Sequence, residues 1–484
     1  MSTKTRRGPV RPPAARPARR GGAARRRRTR RLVAFAMVML LAATCGATLP
    51  GRPRPQWTSP GLIGGGGWPL AYQPLQADEA AGASYLPDSS VVRLADGRVR
   101  LIRSGGRQPI TVAGDDPRVA VAVRGDRLWL ADGRIPGGDS VYRDMAVRAL
   151  LDLRLLTGVD GAVTASWYRH WRYVWPRDAA FVAAAFQVSG HPEEARRVLR
   201  FLARVQADSG LWAARYRPDG SPVADGRAPQ LDSLGWVLWA GWFVTAGSSA
   251  PGADELWPMV RRAADYLAGS LDAAGLPPPS PDYFERDPDK EADPHRPTLG
   301  VAGPVLTGLR AAADLASRIG HAAEAGRWRR AARRLAEAIA QAFAPHGYPR
   351  SPVAGGLMDT SPTFLGPPFA PADPGVEAAV LEAARRLRLP NGGVLPGERW
   401  RGAKTVAWTP EMALFALNAA ACGRVEDALR RLDWLNEHRT ELGALPEKVN
   451  SAGRPAAVAP LGWTAALVLL TLAALEEPLP IPPP

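Results

Sequence analysis

The chain has 484 residues and a formal net charge of +16. This length suffices for one large domain or two to three ordinary ones, with cores that need neither disulfides nor metals. Thirteen of the positive charges lie in residues 1–31, which contain no acids, so the rest of the chain sums to only +3. Because the basicity is local, the charge does not imply a nucleic-acid-binding body, and no nucleic-acid partner is expected.

The basic arm at 1–31 leads directly into an apolar segment, 32–50, that carries no charge. Positive charge before such a segment predicts a cytoplasmic N-terminus and an exported chain after it. Residues 32–50 are therefore interpreted as a signal peptide, which would make the protein secreted, or as a signal anchor in the membrane. No convincing A-x-A cleavage site follows, which favours the anchor. Cys45 lies in this segment, so Cys422 is the only cysteine of the exported part and no internal disulfide is possible there.

Residues 51–80 are rich in glycine and proline and are predicted to be a linker. Residues 81–138 are predicted to form a small lobe of β-hairpins. Two stretches of this segment, SSVVRLADGRVRLI and VAVAVRGDRLWLADG, alternate apolar with polar residues around D-G and G-D turns. That alternation is typical of paired strands.

From residue 139 to 478 the pattern is helical, and two kinds of helix alternate. Amphipathic helices, which can cover an exterior, are predicted at 192–207, 254–271, 324–343, 376–388 and 425–439. Helices that are apolar on nearly every side, and so must be surrounded by protein, are predicted at 179–190, 234–247, 301–316, 412–421 and 461–475. A helix near 141–157 and a weak one within 360–371 bring the total to about twelve, or six pairs.

This alternation predicts an all-α, (α/α)6 barrel in which an inner ring of helices is wrapped by an outer ring. An open solenoid is the alternative, but no fixed repeat period is present and inner helices apolar all round favour a closed ring. Each outer helix returns to the next inner one through a long loop, and with antiparallel neighbours all six loops lie at one end. Long loops in a compact domain usually carry function.

The six loops and the helix starts beside them carry many aromatic rings, carboxylates and guanidinium groups. Rings stack on the apolar faces of sugars, while carboxylates and guanidinium groups bind sugar hydroxyls. The predicted sugar-binding residues are Arg177, Asp178, Trp171, Trp175, Trp212, Asp232, Arg399 and Trp463.

Glu285 and Glu447 stand in loops half a turn apart around a six-fold ring, so we expect them to face each other across the mouth. Facing carboxyl groups fit inverting glycoside hydrolysis, in which one protonates the leaving oxygen and the other activates water, about 6.5–9.5 Å apart. The acid is expected in the more apolar setting, and Glu285 follows Tyr283 and Phe284.

Five motifs in this order, YVWPRDAAF, PQLDSLGW, SPDYFER, LPEKVN and APLGWTAA, resemble the glucoamylase-type glycoside hydrolases of family 15 over roughly residues 140–475. The resemblance implies an (α/α)6 barrel, release of glucose from non-reducing ends of α-glucans or α-oligosaccharides, and inversion. It implies Glu285 as general acid, Glu447 as general base, and Arg177 with Asp178 as the pair that holds the terminal sugar. Phe284 stands where the family often has tryptophan, and Arg286 where fungal members have a second glutamate.

Several alternatives remain open at this stage. The same barrel serves trehalases and α-1,6-glucan hydrolases, and a catalytically silent glucan-binding protein of the cell surface is a third possibility. Asp282 and Asp287 are interpreted as loop caps. Trp236, Trp239 and Trp242 lie at helical spacing in a buried helix, and for Trp239 and Trp242 core packing is favoured over sugar contact. The six histidines show no H-E-x-x-H spacing, so no metal site is expected. We also expect no cofactor and a monomeric protein.

Overall fold

A computed structural model describes residues 82–102, 109–246 and 252–484. The basic arm (1–31), the apolar segment (32–50) and the linker (51–80) lie outside the described residues, so their predictions stay predictions. Within the part that is described, no helix combines the length and the apolar character needed to cross a membrane.

The first described segment is a four-stranded antiparallel meander in which sequential strands pair. Its strands are β1 (Ser84–Tyr85), β2 (Val91–Arg93), β3 (Val99–Leu101) and β4 (Ile110–Val112). The prediction of a β lobe is wrong for the second half of this segment, which forms helix α1 (Pro117–Ala131). Asp116 caps this helix by accepting from the backbone N of Arg118 at 2.9 Å, and Pro117 occupies its first turn.

Eleven further α-helices follow, and the predicted helices match them closely. Their bounds are α2 Arg143–Leu156, α3 Pro176–Val188, α4 Pro192–Val205, α5 Leu231–Thr245, α6 Ala253–Ser270, α7 Leu299–Arg318, α8 Ala322–Ala342, α9 Pro374–Leu387, α10 Thr409–Ala421, α11 Val425–Glu437 and α12 Gly462–Glu476. The weak helix predicted within 360–371 is only a short 3-10 helix, Ser361–Leu365, which ends at Gly366 before two prolines.

The inner ring consists of α3, α5, α7, the short 3-10 helix, α10 and α12, each packed against the next. Helix α12 contacts both α10 and α3, so the ring closes on itself and the open solenoid is excluded. The (α/α)6 barrel predicted from the alternation of helix types is therefore confirmed. The outer helices carry their charged residues outward, as α4 does with Glu193 and Arg200.

Aromatic rings fill the centre of the barrel. Phe181, Trp236, Trp239 and Phe369 pack with ring centroids 4.8–5.9 Å apart and are almost fully buried, as core packing predicts. Helices α5 and α7 cross closely at Gly235, where a Cβ would lie 2.1 Å from the carbonyl oxygen of Pro304. Only glycine permits that approach. The barrel therefore has a solid floor, and any ligand site must lie above it.

Candidate active site

A cavity of about 380 Å³ opens at the end of the barrel where the inner helices begin. Five of the six long loops contribute to its wall, together with the first turns of α3, α10 and α12. The lining residues are Ala165, His170, Trp171, Trp175, Arg177, Asp178, Arg215, Arg227, Tyr283, Phe284, Glu285, Pro396, Trp400, Trp408, Pro410, Glu411, Glu447, Lys448, Leu461 and Trp463.

Arg177 and Asp178 lie in the first turn of α3, which begins at Pro176. Arg177 is buried and donates to Asp178 Oδ1 at 3.2 Å and, through Nη1, to Gln230 and Asp232 at 3.1 Å each. Burial opposes its charge, but Asp232 and Asp178 outweigh it and raise the pKa of Arg177. Burial raises the pKa of Asp178. The pair therefore presents a fixed cation and a carboxyl group to the cavity.

Asp232, predicted to bind sugar, does not line the cavity. It is fully buried in the first turn of α5, and its Oδ2 accepts from Arg177 Nη1. Burial raises the pKa of Asp232 to about 6, with Arg177 acting in the opposite direction. Its position is therefore behind Arg177, and it holds the guanidinium from the side away from the ligand.

Glu285 lies in the loop between α6 and α7, with its backbone in the left-handed region at φ 53°. A turn supports this conformation, since Glu285 N donates to the carbonyl oxygen of Asp282 at 2.7 Å. The Trp175 indole N–H donates to Glu285 Oε1, Arg227 Nη1 pairs with Oε2, and Arg177 Nη2 lies 3.7 Å from Oε1. Three donors, two of them guanidinium groups, thus converge on this carboxyl group, which is 23% exposed. The more apolar setting expected for the acid is not found here, because Glu447 is the more buried of the two glutamates.

A buried charge cluster anchors the loop that carries Glu285. Arg350 donates to Asp282, Glu291 and Asp359 at 2.8–3.0 Å, and its guanidinium carbon lies 3.9 Å from the centre of the Phe284 ring. Burial would raise the pKa of Asp282, but Arg350 brings it below its usual range. Asp282 also accepts from Phe284 N at 2.9 Å. The interpretation of Asp282 as a structural loop residue agrees with these contacts.

Glu447 also lines the cavity and lies directly before strand β6 (Lys448–Val449), which pairs with β5 (Ala407–Trp408) and β7 (Pro455–Ala456). Its Oε1 accepts from the Trp171 indole N–H at 3.3 Å, and its Oε2 lies 3.4 Å from Lys448 Nζ. Apart from this ion pair with Lys448, Oε2 has no hydrogen-bond partner. Burial raises the pKa of Glu447, which Lys448 opposes. One oxygen is therefore held and the other is available to a ligand or water.

Aromatic rings form much of the wall. Trp171, Trp175 and Trp463 line the cavity as predicted. On the side of Glu285, Trp400 packs edge-on against Phe284 at 5.3 Å and against Trp408 at 4.9 Å. Such flat apolar surfaces beside carboxyl groups suit a ring that is apolar on its faces and polar at its rim.

Besides Asp232, two further predicted sugar-binding residues, Trp212 and Arg399, do not line the cavity. Trp212 is 1% exposed and its indole donates to the carbonyl oxygen of Leu202 at 2.8 Å, so it belongs to the packing between loop and outer helix. Arg399 does not line the cavity, and its carbonyl oxygen accepts from Arg286 at 3.2 Å. The next residue, Trp400, takes the place at the wall.

Five arginine, lysine, histidine or glutamate residues line the wall without being among the predicted site residues: His170, Arg215, Arg227, Glu411 and Lys448. Glu411 is 3% exposed in the first turn of α10. The signal that identifies it is its position, because an acid at the start of an otherwise apolar inner helix stands where the loops meet. Arg177 and Asp178 at the start of α3 follow the same rule.

No family model matches the chain. A stretch of 125 residues is 30% identical to an uncharacterized glycosyl hydrolase of Methanocaldococcus jannaschii; it covers 25% of this chain and 20% of that protein. The chain thus aligns with about a fifth of the length of this curated relative.

Solved structures share the fold. A structure titled as a wild-type glycosidase covers 72% of this chain and 98% of its own, with a TM-score of 0.58 and 21% identity. A bacterial glucoamylase solved with acarbose covers 76% of this chain and 60% of its own, with a TM-score of 0.62 and 18% identity. The glucoamylase of Saccharomycopsis fibuligera covers 69% and 94%, with a TM-score of 0.55 and 14% identity. These likenesses establish the glucoamylase-like barrel.

Proposed function

We propose that the protein is an inverting, exo-acting α-glucoside hydrolase that releases glucose from the non-reducing ends of α-glucans or oligosaccharides. One observation carries the proposal: two glutamates from loops half a ring apart, Glu285 and Glu447, line a single cavity that aromatic side chains also line. The five sequence motifs and the shared barrel point the same way. Because residues 32–50 are predicted to be an export signal, we propose that the enzyme acts outside the cytoplasm, either anchored in the membrane or secreted.

Glu285 is assigned as the general acid. Trp175 and Arg177 hold its Oε1, while its Oε2 lies beside the more exposed Arg227. In the reaction its proton passes to the glycosidic oxygen as the bond to the leaving sugar breaks. The backbone at this residue is in the left-handed region, and the side chain lines the cavity.

Glu447 is assigned as the general base. It is more buried than Glu285, and its Oε2 has no hydrogen-bond partner, which leaves that atom free to accept a proton from water. Lys448, 3.4 Å away, favours the ionised form that a base requires. Water activated here attacks the anomeric carbon from the face opposite the leaving oxygen, so configuration is inverted.

The terminal sugar is assigned to the deep part of the cavity. Arg177 and Asp178 offer a donor and an acceptor for its hydroxyls, and Trp463 offers an apolar face. At about 380 Å³ the cavity is near the lower end of the ~300–1,000 Å³ range of small-molecule sites. A small pit with a closed floor accepts a chain end and excludes the middle of a polymer, which supports exo action.

The test is a pair of isosteric variants, Glu285→Gln and Glu447→Gln, assayed on maltose, isomaltose and trehalose. Each variant is expected to lose about 10²- to 10⁴-fold in kcat with an unchanged melting temperature. Matched controls are Asp287→Asn and Glu441→Gln, exposed acids of the same two loops, which should keep wild-type rates.

The same panel separates the alternatives. Preference for isomaltose or trehalose would change the linkage assigned to the site, while binding without hydrolysis of all three would establish a silent glucan-binding protein. Near-normal turnover by either glutamine variant would refute the assignment of the two glutamates.

A further inference from the structure

Four buried side-chain atoms of residues that line the cavity have no hydrogen-bond partner: Arg215 Nε, Glu411 Oε2, Glu447 Oε2 and Trp463 Nε1. The guanidinium of Arg215 is already held by Asp225 through Nη2. Buried polar atoms are nearly always hydrogen-bonded, and an orphan at the wall of a cavity therefore marks a place where a ligand completes the bond. Glu447 and Trp463 already have roles in the proposed function. Glu411 has none.

Glu411 is held next to both of those residues by a shared anchor, Thr409. The backbone N of Thr409 donates to the carbonyl oxygen of Glu447 at 3.1 Å, and its hydroxyl lies 2.8 Å from that of Thr464. The β5–β6 ladder, with Trp408 opposite Lys448, reinforces the same junction. The start of α10, the base and the start of α12 thus form one rigid corner of the cavity.

A purely structural role does not account for Glu411. An acid in the first turn of a helix serves the backbone N–H groups there, and the carboxyl group of Glu411 does interact with its own backbone N–H. Its Oε2 stays unpaired at 3% residue exposure. Leaving such an atom bare is costly unless a ligand or a proton compensates.

We propose that Glu411 is a substrate-binding residue of the innermost sugar site, and that its protonated carboxyl group donates a hydrogen bond from Oε2 to a hydroxyl oxygen of the terminal sugar. The inference rests on the proposed function, because it needs a sugar in this corner. The chemistry of the corner is then complementary: Glu447 Oε2 accepts from water, while Trp463 Nε1 and Glu411 Oε2 donate to oxygens of the sugar.

The charges that face Glu411 agree with a proton on it. Burial is the main cause that raises the pKa of Glu411 to about 8, the charge of Glu447 adds to it, and Lys448 and Arg177 oppose it. A neutral Glu411 also avoids placing a second negative charge close to Glu447, the general base. Two carboxyl groups in one corner therefore hold different protonation states and different tasks.

The experiment compares Glu411→Ala and Glu411→Gln with wild type on 4-nitrophenyl α-glucoside and its monodeoxy analogues. Alanine should lower kcat/KM about tenfold on the intact sugar. On the one analogue that lacks the partner hydroxyl, wild type should show the same loss and alanine no further loss. Glutamine, whose amide donates a hydrogen bond, should stay within about threefold of wild type at pH 6. Glu377→Gln, an exposed acid in the first turn of the outer helix α9, is the matched control and should match wild type.

A pH series adds a readout that a structural role would not move. Above pH 8 wild type loses the donor as Glu411 ionises, whereas glutamine keeps it, so the ratio of kcat/KM for Glu411→Gln over wild type should rise. Both wild type and Glu411→Gln require a protonated Glu285, so the pH dependence of that requirement cancels in the ratio.

Losses by alanine that are equal on every analogue, or a ratio that is flat with pH, would overturn the inference. Unchanged kcat/KM in Glu411→Ala would do the same. If alanine fails to fold, the pH ratio of the glutamine variant decides alone. Wild-type protein that hydrolyses no α-glucoside contradicts the proposed function as well, which distinguishes the two failures.

Discussion

Replacement of Arg350 by methionine tests whether the buried charge cluster holds the loop of Glu285. The guanidinium is 2% exposed and pairs with three carboxylates, Asp282, Glu291 and Asp359, at 2.8–3.0 Å. Methionine fills a similar volume but leaves these acids buried without their cation. Breaking a buried pair in this way costs about 3–5 kcal/mol. We therefore expect the free energy of unfolding to fall by at least that amount at pH 7.

The pH dependence gives the prediction its sign. In wild type Arg350 lowers the pKa of Asp282, so this group stabilises the fold above the unfolded pKa of about 3.9, and the gain is lost as pH falls through the lower folded value. In the variant burial dominates and raises the pKa of the same group. The stability that the Asp282 carboxyl group contributes in the variant is then lost as pH rises above about 4. The difference in the free energy of unfolding between wild type and Arg350→Met should be largest near pH 7 and become smaller toward pH 4.5.

The assay is urea unfolding at pH 7 and pH 4.5, together with kcat on maltose. The control is Arg385→Met, which removes an exposed ion pair with Glu382 and should cost less than about 1 kcal/mol. Where Arg350→Met is folded, kcat should still fall, because the turn that sets Glu285 has lost its anchor. A stability gap of less than 1 kcal/mol, or one that is the same at both pH values, would refute the reasoning.

Two other predictions concern single residues. Lys448→Met removes the cation 3.4 Å from Glu447 and should move the acid limb of the kcat/KM profile to higher pH by about one pH unit, since the base then needs a higher pH to ionise. The control, Lys404→Met, changes an exposed lysine away from the cavity and should leave the acid limb in place. An unmoved acid limb in Lys448→Met would contradict the role of the Lys448–Glu447 pair. Trp212→Phe should lower stability by about 1–3 kcal/mol, from a lost hydrogen bond and a small cavity, while KM stays within about twofold; a large rise in KM would return Trp212 to the sugar site.

The barrel was predictable because its helices obey simple rules of burial. A run such as Leu231–Thr245 has no polar face and must be enclosed, while Ala322–Ala342 has one charged side and must cover something. Helix α1 was mistaken for strands because its valines and alanines alternate with period two. The D-D-P sequence before it, a capping acid followed by proline, was the better signal. At 361–365 prolines and glycine on the C-terminal side cut the expected helix short.

The site was predictable where a residue starts an inner helix or ends a loop beside one. Arg177, Asp178, Glu285, Glu447 and Trp463 all line the cavity as expected. A loop position does not determine the direction of a side chain, however. The indole of Trp212 donates to an outer helix, and the residue after Arg399, Trp400, lines the cavity in its place. Such directions depend on packing between distant segments, which spacing along the chain does not reveal.

Inner-helix starts proved the most informative positions. Asp232 starts α5 and supports Arg177 from behind, while Glu411 starts α10 and faces the cavity. Helix α10 was predicted to begin at residue 412, which left Glu411 outside the predicted helix and unassigned. The observed start at Thr409 places it in the first turn. An error of three residues at a helix boundary thus concealed a residue of the site.

The central claim is that Glu285 and Glu447 act as acid and base on opposite faces of one α-glucosidic bond. Proton NMR during the first minutes of maltose hydrolysis tests it most directly, because the anomeric signals of the released glucose appear before mutarotation mixes them. We predict that the non-reducing unit is released as β-glucose. Release of that unit as α-glucose, or no release at all, would contradict the claim.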